Sequence, residues 1–378
     1  VTGVQTCALP IFRLPNEATC MRYGVPLTDA LASCDDPKRV YFVSGNDIME
    51  ATIPSLDEKC LAAVTNESPI FLLESRLVAS FAYPVQSITS HSHLLCGIDE
   101  RGHIKVFEIA SSGDLKLIHE YTHSSGSGHF SEESWGMVRF SPSGKRLLSM
   151  HALSCSLNVF FLDSDVKPIV INVVDHPRSA CWRDENTVIV SEHKELSQFY
   201  LSSGHSFTAF NRVNVGTQDI SSLFAFTSSD SVVACTATDR GVFGLNSRDL
   251  KIVKRWRAPI RNTILGCVGE ETQSSVLGCK VEVVYMCGDD NEVLMFKSSG
   301  KEEKEGALKE RHSINIRSRS RVIGLSLLHQ DGMSLLCILG QNGDLDIVQK
   351  PCDYLMERRK RKLQGGEDTE EKRLMMEE

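Results

Sequence analysis

The chain has 378 residues, 41% of them hydrophobic and 24% charged, a composition typical of a soluble globular protein with a sizeable core. Its formal net charge of −8 does not favour binding to nucleic acid through overall charge. No apolar run approaches the roughly 20 residues that a helix needs to cross a bilayer, so we expect no membrane association.

Thirteen cysteines are scattered along the chain without a Cys-x-x-Cys pair. We predict buried free thiols, rather than disulfides or zinc ligands, for the five that fall within or at the ends of apolar segments: Cys96, Cys181, Cys235, Cys287 and Cys337. No segment resembles a secretory signal peptide. A reducing, intracellular compartment follows as an expectation.

The first 38 residues fall into two parts. Residues 1–11 resemble the translation of a sequencing adapter fused to an incomplete transcript, and we interpret them as a non-native scar. Residues 12–38 contain Pro15, Pro26 and Pro37, which argue against long regular elements. We therefore expect residues 12–38 to be an irregular N-terminal segment.

From residue 39 onward, short apolar segments alternate with turns rich in Gly, Asp, Asn, Ser and Pro. Residues 39–44 and 48–53 form a predicted hairpin, and residues 61–65 and 70–73 form a second apolar pair. Residues 85–123 indicate four strands of an antiparallel meander. Such a unit cannot bury both of its faces alone, so repeats of it should follow.

Five more units of this kind follow, within residues 136–174, 179–201, 223–257, 264–296 and 322–348. The third predicted strands end at positions 39 to 53 residues apart, about the length of one four-stranded blade: Phe107, Phe160, Phe199, Leu245, Phe296 and Val348.

The run Phe140-Ser-Pro-Ser-Gly and the third-strand pattern Ile104-Lys-Val-Phe-Glu resemble the WD40 β-propeller family. The resemblance covers residues 39–350 and implies an all-β, WD40-like propeller of about seven four-stranded blades. Phe107-Glu108 and Phe199-Tyr200 stand where the family has Trp-Asp, but an aromatic residue can still pack between sheets. We do not expect the family's buried Asp-His-Ser/Thr hydrogen-bond network here.

The last unit lacks a clear fourth strand, because the chain becomes polar from Lys350. Propellers commonly take that strand from the N-terminal segment, which removes exposed sheet edges. If native N-terminal residues are missing, we expect damage to this closure. Residues 351–378 are predicted to be a charged tail.

Five consecutive cations on this tail resemble a nuclear-localisation cluster: Arg358, Arg359, Lys360, Arg361 and Lys362. The alternative is a solvated run of charge. Four arginines within residues 311–321 are candidate contacts to RNA phosphates or to a partner: Arg311, Arg317, Arg319 and Arg321. This second segment has no interleaved aromatic residues, and we favour a plain surface loop there.

The sequence does not indicate a catalytic site or a cofactor. Five histidines lack the spacing of metal ligands: His91, His93, His119, His123 and His129. No nucleophile elbow, P-loop or dinucleotide fingerprint is present. Propellers that dock onto cullin–ligase adaptors resemble one another in a Trp-Asp-x-Arg motif, but Leu245-Asn-Ser-Arg248 keeps only the Arg.

We therefore predict a non-catalytic, protein-interaction scaffold of a nuclear multi-protein complex, with ribosome assembly or another RNA–protein complex as the favoured setting. Other proteins would be its partners, with RNA as a second candidate, and we expect no small-molecule substrate. One alternative is a cytoplasmic scaffold in trafficking or a ubiquitin-ligase adaptor. The other is an enzyme that uses the central channel of the propeller.

Overall fold

The computed structural model describes residues 11–13, 29–36, 38–53, 70–123, 136–151, 154–202, 206–215, 219–226, 231–236, 241–257, 264–274, 279–288, 292–298, 311–315, 322–330 and 333–349. The strands in chain order are β1 (Ile11–Arg13), β2 (Leu31–Ser33), β3 (Arg39–Ser44), β4 (Asp47–Thr52), β5 (Ile70–Leu72), β6 (Ser75–Ser80), β7 (Val85–His91), β8 (Leu94–Asp99), β9 (His103–Ile109), β10 (Leu115–Thr122), β11 (Gly136–Phe140), β12 (Arg146–His151), β13 (Ser156–Phe161), β14 (Ile169–Asn172), β15 (Pro177–Asp184), β16 (Thr187–Glu192), β17 (Glu195–Leu201), β18 (Phe207–Asn214), β19 (Ile220–Ala225), β20 (Ser231–Thr236), β21 (Gly241–Asn246), β22 (Ile252–Arg257), β23 (Ile264–Ser274), β24 (Cys279–Gly288), β25 (Glu292–Ser298), β26 (Arg311–Asn315), β27 (Val322–Gln330), β28 (Met333–Gly340) and β29 (Asp344–Gln349).

These strands form seven sheets, which are the blades of a propeller. Blade 1 is β2-β3-β4-β6, and blades 2 to 6 are the successive four-strand groups β7–β10, β11–β14, β15–β18, β19–β22 and β23–β26. Blade 7 is β27-β28-β29 extended by β1 and β5. The innermost strand of each blade contacts the innermost strands of both neighbours, and β27 contacts β2, so the ring is closed. The predicted all-β propeller with seven blades is confirmed.

The core of the protein lies between blades rather than within them. Each hydrophobic cluster of buried side chains combines residues from neighbouring blades: blades 2 and 3, 3 and 4, 4 and 5, 5 and 6, 6 and 7, and 7, 1 and 2. A single blade therefore leaves apolar faces that only its neighbours cover, in agreement with the repeat interpretation.

The third-strand positions recognised in the sequence explain this packing. Phe107, Phe160 and Phe199 are buried on the third strands of blades 2, 3 and 4, as is Leu245 in blade 5 and Val348 in blade 7. Each pairs in register with an apolar residue of the second strand, namely Leu95, Leu147, Val188, Val232 and Leu336 respectively. Burying one such side chain stabilises the fold by about 1.5–3 kcal/mol.

The ring is closed by two segments from the N-terminal part of the chain. β1 pairs antiparallel with β29, with Phe12 opposite Leu345, and parallel with β5, with Phe12 opposite Phe71. β5 lies between β4 and β6 of blade 1 in sequence but joins blade 7. The expected damage to the closure is therefore wrong: the missing outer strand of blade 7 is present and is held on both sides.

Two sequence expectations for this region need correction. Residues 12–38, expected to be irregular, supply most of β1 and all of β2, the innermost strand of blade 1. Ile11 is the first residue of β1, and the interpretation of residues 1–11 as a non-native scar stays a prediction. The apolar segment at residues 70–73 pairs with β1 in blade 7 and not with residues 61–65, which lie outside the described residues.

The cysteine prediction is confirmed for four of the five residues, and the side chain of Cys235 lies outside what the structure describes. Cys96, Cys181, Cys287 and Cys337 are buried and free. Burial raises the pKa of Cys96 and Cys337, the latter to about 12, as expected for inert thiols in apolar surroundings. The described residues contain no helix that is long and apolar enough to cross a membrane.

Blade 3 contains a buried polar network that the sequence analysis did not expect. Nδ1 of His123 lies 2.8 Å from Oγ of Ser149 and 3.2 Å from Nδ2 of Asn158. An amide NH₂ only donates, so Nδ1 of His123 accepts and the imidazole is neutral. Its ring stacks on that of His151 with centroids 5.9 Å apart. The set His123, Ser149 and Asn158 thus differs from the Asp-His-Ser/Thr network that was not expected here.

Replacing His123 should change the acid sensitivity of the fold. Burial, together with the charge of His151, lowers the pKa of His123 to about 3, whereas an unfolded histidine titrates near 6.5. The unfolded state therefore binds the proton first, and stability falls by about 1 kcal/mol per pH unit below pH 6. In urea titrations, His123→Gln should lose less stability than wild type between pH 6.5 and pH 4.5. The half-buried His119→Gln is the control, and equal acid sensitivity in all three proteins would contradict the prediction.

The closure predicts a backbone-specific effect of proline in β1. Phe12→Pro removes an N–H from a strand that is paired on both sides, and the lost hydrogen bond should cost about 1–3 kcal/mol. Phe12→Val also removes the ring but keeps the N–H. We expect the proline variant to be the less stable of the two in thermal unfolding. Equal melting temperatures would show that β1 pairing does not hold the ring.

Candidate functional site

The innermost strands converge on a cavity at the centre of the ring. It has a volume of about 450 Å³, within the usual range for binding pockets. Its lining residues come mainly from the carboxyl-terminal halves of innermost strands and from the turn that follows β11. The axial cavity therefore lies towards the face that carries the turns between first and second strands.

A charged pair spans the axial cavity. Arg139 on β11 donates through Nη1 and Nη2 to the two carboxylate oxygens of Asp29, at 2.8 and 2.6 Å. Oγ of Ser87 on β7 donates to the same carboxylate at 3.1 Å. This bidentate pair links the beginning of blade 1 to blade 3, and Ser87 adds blade 2.

The charges of Asp29 and Arg139 neutralise each other at a partly buried position. The side chain of Asp29 is 10% exposed and that of Arg139 is 31% exposed. Burial disfavours the charge of Arg139, but the adjacent carboxylate of Asp29 outweighs this and raises the pKa of the guanidinium. Removing one partner would leave the other charge poorly compensated.

Aromatic side chains form one wall of the axial cavity: Phe140, Trp182 and Phe224. Nε1 of Trp182 donates to the backbone oxygen of Arg139 at 3.1 Å, which fixes the indole. Gly269 makes room for Phe224, because a Cβ at that position would lie 2.5 Å from Cε1 of the ring. The wall is a preformed apolar surface.

Hydroxyl groups line the opposite wall, near the closure seam. Oγ of Ser33 donates to the backbone oxygen of Leu327 at 2.7 Å, and Oγ of Ser326 donates to Oγ of Ser33 at 2.9 Å. Oγ of Ser90 donates to the backbone oxygen of Ser33. These bonds tie blades 7, 1 and 2 together. The cavity thus offers apolar contact and satisfied polar groups, a lining suited to a neutral, largely apolar occupant.

None of the predicted basic residues is among the described residues that line the axial cavity. Arg311 lies on β26, the outermost strand of blade 6, so the expectation of a plain loop over residues 311–321 is wrong for residues 311–315. Arg317, Arg319, Arg321 and the cluster from Arg358 to Lys362 lie outside the described residues.

The predicted histidines are dispersed. His91 lines the axial cavity, with its ring 6.3 Å from that of Phe140, whereas His119 stacks on Tyr121 at 5.6 Å. His123 is buried in blade 3, and His129 lies outside the described residues. Within the part of the chain that the structure describes, no group of His, Cys, Asp and Glu is arranged to hold a metal ion.

The Leu245–Arg248 turn joins blades 4 and 5. Leu245 is buried, and Oγ of Ser247 accepts from Nε of Arg183 on β15 at 3.0 Å. The backbone oxygen of Ser247 accepts from Nε2 of Gln198 at 2.5 Å. Arg248, the residue shared with the adaptor motif, is exposed.

The sequence analysis missed the residues that shape the axial cavity. Asp29 lies in the segment expected to be irregular, and only the fold brings it to Arg139, 110 residues away. Arg139 did carry a signal, because a cation between Val138 and Phe140 interrupts an apolar strand.

No protein-family model and no curated protein matches this sequence. Its fold is similar to crystal structures of Sqt1. For Sqt1 from Chaetomium thermophilum the TM-score is 0.58 at 14% identity, covering 90% of this chain and 98% of that one. For Sqt1 from Saccharomyces cerevisiae the TM-score is 0.55 at 11% identity, covering 88% of this chain and 98% of that one. For Chaetomium thermophilum Sqt1 bound to the N-terminus of the ribosomal protein L10 the TM-score is 0.56 at 15% identity, covering 82% of this chain and 80% of that one. At these identities the likeness establishes the fold alone.

The charged pair predicts strong coupling between Asp29 and Arg139. Arg139→Met should destabilise the protein by about 3 kcal/mol, because Asp29 loses its bidentate partner. Adding Asp29→Asn removes the uncompensated charge and should recover most of that loss. Urea unfolding of the two single variants and the double variant measures the coupling. Simple additivity of the two single effects would contradict this account.

Proposed function

We propose that this protein is a non-catalytic scaffold that binds a segment of a partner protein at the axial cavity. The observation that carries the proposal is the cavity itself, a preformed concave surface with a rigid aromatic wall and a self-neutralised charged pair. Aromatic residues in a pocket are typical energetic anchors of protein interfaces. The propeller holds them on strands rather than on loops.

The chemistry of the axial cavity supports binding over catalysis. Asp29 is the carboxylate among the described lining residues, and Arg139 and Ser87 engage it. General acid–base catalysis by paired carboxylates needs a second such group within reach. His91 is the histidine among the described lining residues, with its ring 6.3 Å from that of Phe140, and the stacked pair His123 and His151 is not among them.

We propose a ribosomal protein, or another protein of an RNA–protein complex, as the partner. The fold likeness to Sqt1 bound to the N-terminus of the ribosomal protein L10 supports this class of partner. Proteins that bind RNA carry Lys and Arg for the phosphate backbone, and the net charge of −8 would attract such cations to the surface outside the axial cavity, while the cavity receives an apolar part of the partner. Arg311, Arg317, Arg319 and Arg321 are proposed secondary contacts, to RNA or to the partner.

We further propose a nuclear location, directed by the cluster Arg358, Arg359, Lys360, Arg361 and Lys362. Fluorescence microscopy of the tagged protein, with and without all five residues changed to Ala, tests this. Loss of nuclear signal in the variant is the expected result. An identical cytoplasmic distribution of both proteins would remove the nuclear proposal and favour the cytoplasmic scaffold.

Filling the axial cavity should abolish partner binding. Thr89 lines the cavity and is only partly buried, so Thr89→Trp should occupy the space without disturbing the core. Lys194→Trp adds the same side chain at an exposed turn on the opposite face and serves as the control. Calorimetry with a synthetic N-terminal segment of the ribosomal protein L10 is the first assay, and affinity purification with mass spectrometry is the second.

We expect the Thr89→Trp variant to lose affinity by about ten-fold or more, as for hot-spot residues, and the Lys194→Trp variant to bind as wild type does. If the L10 segment does not bind and no protein of an RNA–protein complex copurifies with the wild type, the partner class is wrong. If purified partners remain bound to the Thr89→Trp variant, the axial cavity is not the docking site.

A further inference from the structure

A turn of blade 4 connects three blades on the face opposite the axial cavity. The turn between β16 and β17 contains His193 and Lys194, and consecutive turns of an antiparallel sheet alternate between the two faces. The backbone oxygen of His193 accepts from the N–H of Ile220 at 2.7 Å, and that of Lys194 accepts from the N–H of Val215 at 3.0 Å. These bonds hold the connection between blades 4 and 5.

Glu192, the residue before His193, holds the connection between blades 3 and 4. Oε2 of Glu192 accepts from the N–H groups of Val174 and Asp175, at 2.7 and 3.0 Å, and Oε1 accepts from Oγ of Ser197 at 2.7 Å. Glu192 is 2% exposed, so this carboxylate is a fixed part of the fold. The two inter-blade connections therefore meet at a single rigid turn.

The imidazole of His193 lies between carboxylates from both connections. Nδ1 is 3.0 Å from Oδ1 of Asp219, and Nε2 is 3.2 Å from Oδ2 of Asp175. A carboxylate only accepts hydrogen bonds, so each ring nitrogen must carry a proton to be attracted to its neighbour. Only the imidazolium has two N–H groups. The geometry thus requires the charged form of His193.

Other charged groups lie around the contact of His193 with Asp175 and Asp219. Nη2 of Arg178 on β15 lies 3.6 Å from Oδ2 of Asp219 and shares that carboxylate. Nδ1 of His176 faces the thiol of Cys155 at 3.7 Å, and Glu195 at the start of β17 pairs with Arg212. A backbone hydrogen bond and the nearby charges of His193, His176 and Arg178 lower the pKa of Asp175, so this carboxylate stays ionised at neutral pH.

We propose that His193 is a proton-dependent clamp that joins the connection between blades 3 and 4 to the connection between blades 4 and 5. When the imidazolium loses one proton, a ring nitrogen presents its lone pair to a carboxylate oxygen about 3 Å away, and that contact becomes repulsive. Loss of this proton, which a rise in pH brings about, therefore opens the clamp. The N–H groups of Val174, Asp175 and Ile220 lie at the two connections, so their hydrogen bonds should open more often once the clamp is open.

The clamp is tested by hydrogen exchange of the reporter amides of Val174, Asp175 and Ile220, in wild type and in two variants. His193→Gln removes the titrating group, and Lys194→Gln removes a neighbouring cation that is exposed in the same turn. All three groups of the contact are about 40–47% exposed, so the effect should be modest. Between pH 5.5 and pH 8, protection factors should fall by about two- to five-fold in wild type and in Lys194→Gln, and should stay constant in His193→Gln.

An equal fall in His193→Gln, or no fall in wild type, would overturn the proposal. Ring ¹⁵N shifts of wild type provide a readout that does not depend on the variants. Loss of one ring proton should occur over the same pH interval as the changes in the amide signals of Val174 and Asp175. Amide changes in a different interval would exclude His193 as their cause.

Discussion

The fold depends on one constraint: the apolar faces of each blade are covered only by its neighbours. The hydrophobic clusters combine adjacent blades around the whole ring, and the cluster at the seam combines blades 7, 1 and 2. An open ring would expose the faces of its two terminal blades. The two-sided pairing of β1, between β29 and β5, adds to the contact between β2 and β27, and together they close the ring at the terminal blades.

The same closure creates the axial cavity. The seven innermost strands surround one axis but cannot fill the space along it. The side chains of these strands line the space that remains. Polar groups in such a place must be satisfied locally, which explains the charged pair of Asp29 and Arg139 and the hydroxyl bonds of Ser33, Ser90 and Ser326. The proposed docking of a partner segment rests on this lining, in which a self-neutralised charged pair lies beside a fixed aromatic wall.

The architecture was predictable because its signal is local and repeated. Apolar segments at short spacing located the blades, and the third-strand positions from Phe107 to Val348 fell on the strands expected, paired with apolar second-strand residues. Cys96 and Cys337 were recognisable as buried thiols because apolar residues flank them. Each of these inferences needs only a window of about ten residues.

The long-range contacts were not predictable, because no local segment of the sequence carries a signal for them. β5 is separated from β1 and β29 in sequence, and nothing in Ile70–Leu72 indicates which blade it joins. Asp29 and Arg139 are brought together only by closure, and His123 meets Ser149 and Asn158 only when blade 3 forms. Arg311 was assigned to a loop because its charge masked a short edge strand. The residues of the proposed docking site lie mostly in this second group.

The central claim is that the seven blades form one closed, mutually dependent unit. Native-state hydrogen exchange of the backbone amides in the second strand of each blade tests this claim most directly. Each of the seven blades has such a strand, from β3 in blade 1 to β28 in blade 7. The account predicts one common free energy of opening for the slowest amides of all seven blades, with blades 1 and 7 as protected as blade 4. Separate opening free energies, with blades 1 and 7 exchanging independently of the others, would contradict it.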